Sequence, residues 1–197
     1  MTIATPDHTP PTRRRTATKR RHSKLFAIAG TVLALGMLSA GTAVAASSSG
    51  PRHDAIKSVR EATRKFHRVD TAVAAGYAQF TDVNGVTCID GPPGEGNMGV
   101  HYVNGTLVGD GKIDARHPEA VLYEHAKNGL RLTAVEYIVL ASDWKAAQPP
   151  ALFGHDFMLV TAPNRYGLPD FYALHAWLWK TNPSGQFDPW NPDVKCP

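Results

Sequence analysis

Leu130-Arg131-Leu132-Thr133-Ala134-Val135-Glu136-Tyr137-Ile138-Val139-Leu140 follows directly on Asn128-Gly129. The run is rich in β-branched and aromatic residues and has no glycine or proline in its interior, which favours a strand over a helix. Asn-Gly before it suits a tight hairpin turn, and the apolar stretch Ala120–Glu124 on the other side supplies a partner strand. On strict alternation one face reads Leu130, Leu132, Ala134, Glu136, Ile138, Leu140, with Glu136 its only charge.

Moving outward, the same texture recurs. Tyr77–Asp82 and Val86–Ile89 flank Asn84-Gly85 and are expected to form another hairpin. Gly99–Val103 predicts a short strand closed at Asn104-Gly105, and Phe157–Thr161 and Phe171–Trp179 predict two more. Ahead of them, Ile56, Val59, Thr63, Phe66, Val69 and Val73 recur at steps of three and four, which predicts one helix over residues 51–76. Pro51 suits its first turn and Gly76 its end. Its other face carries Lys57, Arg60, Arg64 and Arg68, a solvated stripe. The expected class is α+β, one N-terminal helix packed on an antiparallel sheet or a small β-barrel.

The first 45 residues have a different character. Arg13, Arg14, Arg15, Lys19, Arg20, Arg21 and Lys24 precede the uncharged run Leu25–Leu38, and Ala43-Val44-Ala45 supplies a small-x-small site. This order predicts a signal peptide cleaved before Ala46 and an extracytoplasmic domain over residues 46–197, with no stable membrane span left after cleavage. Arg20-Arg21 hints at twin-arginine export, although His22 and Ser23 follow where apolar residues are usual. Seven of the 21 basic residues and one of the 17 acidic ones fall in the leader. The expected mature chain therefore has 14 basic and 16 acidic residues, a net charge of −2. The basic pI belongs to the leader, and nucleic acid is excluded as a partner on charge. Cys88 and Cys196, the only cysteines, are expected to pair in an oxidising compartment.

Three strands carry one ionisable group each on an otherwise apolar face. Glu136 is one, His175 interrupts Phe171, Ala173, Trp177 and Trp179, and His101 stands between Gly99 and Val103. A buried carboxylate must take up a proton, find a cation or bind a metal. Arg131, Arg165 or a histidine could serve as the cation. Two imidazoles and one carboxylate are also the donor set of catalytic zinc sites and of open non-haem iron sites. The expected site is thus a divalent transition metal (zinc, iron or copper) held by His101, Glu136 and His175, with His155 as a fourth ligand or proton carrier. Metal-assisted hydrolysis or oxygen chemistry would suit it, with Glu136 as ligand or base, and the partner would be a small molecule. The competing expectation is a metal-free module that binds a small ligand or an envelope partner, its polar cluster only structural. HxH, HExxH, CxxC and GxSxG patterns are absent from the sequence.

The run from about Arg60 to Pro197 resembles a group of secreted bacterial proteins with no assigned activity. Gly96-Asn97-Met98-Gly99-Val100-His101-Tyr102, Val135-Glu136-Tyr137 and Leu174-His175-Ala176-Trp177-Leu178-Trp179 with Asn182-Pro183-Ser184-Gly185 carry the resemblance. It implies secretion and supplies no reaction.

Overall fold

The computed structural model describes residues 50–197; the expected signal peptide and its expected cleavage site lie outside the described residues. The helical segment comes first. It is not one helix but three pieces: α1 (Gly50–Thr63), a 3-10 turn (Arg64–His67) and α2 (Val69–Ala74). Arg68 is extended at φ −99°, ψ 114°, and interrupts the hydrogen-bond ladder there. The break shifts the helical register. Val59, Thr63 and Phe66 are buried as the periodicity predicts, but Val73 is 53 % exposed and Ala72 is buried in its place.

Seven strands form one sheet: β1 (Ala78–Gln79), β2 (Cys88–Asp90), β3 (Asn97–Val103), β4 (Ala120–Ala126), β5 (Gly129–Leu140), β8 (Met158–Val160) and β9 (Phe171–Ala176). All pairings are antiparallel, in the order β1-β3-β4-β5-β9-β8, with β2 also on β3. The path is open, so the described strands form a sheet and not a barrel. Two short strands, β6 (Ala151–Leu152) and β7 (His155–Asp156), pair separately, and a single-turn helix, α3 (Gly105–Val108), follows β3.

Of the expected hairpins, β4–β5 forms around Asn128-Gly129. The one at Asn84-Gly85 does not. β1 and β2 both pair with β3 and run in the same direction along its edge. The residues between them are looped out, because the Asp82 carboxylate accepts from the backbone of Asn84 and Val86 and closes the chain on itself. Asn104-Gly105 is not a strand turn either, since the Asn104 side chain caps α3 through Thr106 and Leu107 N–H.

The alternation of β5 is broken as well. Leu122 pairs with Ala134 but Tyr123 with Leu132, which leaves Thr133 as an extra residue, a bulge. Leu130 and Leu132 therefore join Val135 and Tyr137 in one core, together with Val59, Phe66 and Ala72 of the helical segment. Ala134 and Ile138 lie in the other core, with Met98, Leu122, Ala173 and Trp177. The apolar face expected from Leu130 to Leu140 is in fact two half-faces, and only its second half accompanies Glu136.

Candidate metal centre

His101, Glu136 and His175 stand on three strands of the sheet, β3, β5 and β9. Glu136 on β5 is the register partner of His175 on β9 and of Ala120 on β4. His101 lies one strand further, on β3, opposite Leu122. Its ring must reach across β4, and the small Ala120 beside Glu136 leaves that path open. Gly99 fixes the approach. It sits at φ +97°, in the left-handed region, and a Cβ there would lie 2.4 Å from the Tyr123 carbonyl oxygen. Its own carbonyl accepts from His101 Nδ1 at 3.1 Å. That contact places the proton on Nδ1 and leaves the Nε2 lone pair free.

All three side chains are buried, at 3–6 % exposure. His101 Nε2 lies 3.5 Å from Glu136 Oε2, and His175 Nε2 lies 3.5 Å from Glu136 Oε1. The carboxylate thus straddles the two rings. These distances exceed a good N–H···O bond, and both Nε2 atoms are buried without a hydrogen-bond partner among the described residues. They match a different geometry. Two ligand atoms at a tetrahedral angle on an ion with bonds of about 2.1 Å stand roughly 3.4 Å apart. One ligand atom from each residue lies within 4.8 Å of the others.

The electrostatics point the same way. Burial pushes the His175 imidazole down, towards its neutral form. Burial is also the largest influence on the Glu136 carboxyl and acts upward, but the two facing imidazoles, His175 before His101, prevail and hold it low. Without a metal the two demands conflict, since the carboxylate needs cationic neighbours and the buried ring favours neutrality. A divalent ion meets both, because it supplies the positive charge and binds imidazole in its neutral form.

The other cations considered for Glu136 are engaged elsewhere. Arg131 pairs with Glu124, and Arg165 with Asp82 and Asp90. His155 is not brought to the cluster, which corrects its expected role as a fourth ligand. Its Nε2 meets the Arg52 guanidinium and its ring lies against Phe187, 4.2 Å between centroids. The Phe153 turn that carries it faces the helix-covered core, away from the half-face of Glu136. Cys88 and Cys196 form the expected disulfide, across a sequence separation of 108 residues.

Two features had no expectation attached. Glu119, 2 % exposed at the head of β4, accepts from Ile138 N–H at 2.9 Å, and burial pushes its carboxyl up to about 8. An acid leading directly into Ala120-Val121-Leu122 was the available signal. The second is a cavity of about 240 Å³ that reaches two residues of the cluster, His101 and Glu136. It is assembled from four separate segments, so no local pattern announces it. Comparison of the chain with protein-family models, curated proteins and solved structures finds no match. No described helix is long and apolar enough to cross a membrane.

Proposed function

We propose that this is an exported protein whose sheet holds one divalent transition metal through His101, Glu136 and His175. The observation that carries the reading is the pair of buried, unpartnered Nε2 atoms, each 3.5 Å from a different oxygen of one carboxylate. Three protein donors leave further coordination positions for water or a small molecule, the pattern of catalytic rather than structural sites. Zinc or non-haem iron suits two imidazoles and one carboxylate best, and copper is the third candidate. With zinc the centre would support metal-assisted hydrolysis, and with iron oxygen chemistry. The helical segment supports the α+β reading through Phe66, whose carbonyl accepts from the Tyr123 hydroxyl of β4. Export is supported by the basic and apolar leader, the disulfide and the resemblance to secreted bacterial proteins.

A metal-free module remains the second reading, favoured by one observation. The 3.5 Å contacts also satisfy an ion-pair distance if either ring is protonated. The two readings separate on Glu136→Gln. It removes bound metal in the first. In the second it only lowers the melting temperature, with chelator having no effect on the parent.

A further inference from the structure

The cavity beside the cluster has a composition that narrows what can enter it. Its depth is apolar: Ile138, Val108 and Phe171 are buried around the Glu136 and His101 floor. Its rim is half-exposed and also apolar, formed by Phe80, Tyr166 and Leu168, while Gly105 is exposed at the edge. The site therefore opens to the surface and ends at His101 and Glu136, two of the three proposed metal ligands. Among the described residues, no lysine or arginine lines it. In the metal-free protein an anionic ligand would bring its charge beside the Glu136 carboxylate with no lysine or arginine to meet it, a costly burial.

From this lining we infer that the cleft binds an uncharged, apolar molecule of one or two fused rings and presents it to the His101–Glu136 side of the cluster. Size supports the class. A dry apolar cavity of about 150 Å³ takes benzene, and this one is about 240 Å³. A neutral aromatic or alicyclic molecule would displace water from seven apolar side chains and leave its inner edge against the two polar groups of the floor. The proposal rests on the metal reading for what the ligand meets at the floor, but not for the cavity's apolar selectivity.

The test uses naphthalene as probe and 2-naphthoate as its charged counterpart, followed by saturation-transfer NMR on chelator-treated and zinc-supplemented protein. Metal content is measured on the same samples. Naphthalene should bind saturably to both forms, and in the metal-free form 2-naphthoate should bind at least about ten-fold more weakly. Val108→Phe, which fills the cavity from α3, and Leu168→Trp, which fills it from the rim, should each weaken naphthalene by about ten-fold or more. The rim variant serves if the buried one does not fold. Absence of saturable naphthalene binding would overturn the proposal. So would unchanged binding in a folded filled variant, or equal binding of 2-naphthoate to metal-free protein. Naphthalene binding in a protein that takes up no metal would end the metal reading and leave this one standing.

Discussion

Single residues set the chemistry at two places in this molecule, and each makes a distinct prediction. Glu136→Gln keeps the size of the side chain but removes the anionic donor, so it should lower bound metal by at least about ten-fold. His101→Ala and His175→Ala should do the same, and double variants should lose little more, because ligands of one ion act as a unit. Metal content by mass spectrometry reads all of these. Glu119 predicts a pH effect instead. Its folded carboxyl sits near 8 against an ordinary value of 4.5, so the fold favours the protonated form. Its contribution to stability is fully present below the unfolded value and is lost as pH rises through the folded one. Between about pH 4.5 and 8 the parent should therefore lose stability with rising pH, on the order of a few kcal/mol at most. Glu119→Gln, which retains an acceptor for Ile138 N–H, should flatten that slope. Chemical denaturation at a series of pH values measures it; an equal slope in parent and variant would contradict the assignment.

The elements show where sequence reading succeeds and where local physics hides the answer. Strand identity was legible for β3, β4, β5, β8 and β9, because β-branched and aromatic runs bounded by turn residues leave few alternatives. So was the inward direction of His101, Glu136 and His175. The bulge at Thr133 was not, because nothing in Leu132-Thr133-Ala134 marks an inserted residue. Glu136 still faces inward only because Ala134, Ile138 and Leu140 after the bulge keep its parity. The Asn84-Gly85 turn misled for a definite reason: Asp82 closes the loop within itself, so its flanks join β3 separately. Likewise the periodicity of residues 51–76 continues through Arg68, where the backbone leaves the helix. The glycine of β3 gives the prediction for this scale. Gly99→Ala would place a Cβ 2.4 Å from the Tyr123 carbonyl at a positive φ. It should cost roughly 1–3 kcal/mol of stability and reduce metal binding, since the Gly99 carbonyl orients His101. A melting temperature and metal content equal to the parent would show that β3 does not depend on it.

For the whole molecule, the tail and the expected signal peptide matter most. Residues Asn191–Cys196 are tied to the sheet by the Asn97–Asn191 bridge, by the Asn97 side chain bonded to the Val194 carbonyl and by the disulfide. Closing a loop of that length contributes roughly 4–5 kcal/mol in the chain-entropy model. Cys88→Ser with Cys196→Ser should therefore lower stability by about 2–5 kcal/mol, and native protein should show no alkylatable thiol before reduction. The expected signal peptide predicts that N-terminal sequencing of exported protein begins at Ala46; an intact Met1 would contradict cleavage there. The site itself emerges only at this scale. Its three donors come from strands far apart in the chain, which is why their residue types were readable but the exclusion of His155 was not.

Metal content of the protein purified without a histidine tag decides most directly whether the buried His–Glu–His arrangement is a metal centre. The arrangement predicts about one transition-metal ion per chain after zinc or iron supplementation, and a melting temperature that falls on chelation. Glu136→Gln should show neither. Parent protein with no stoichiometric metal and no response of its melting to chelator would contradict it.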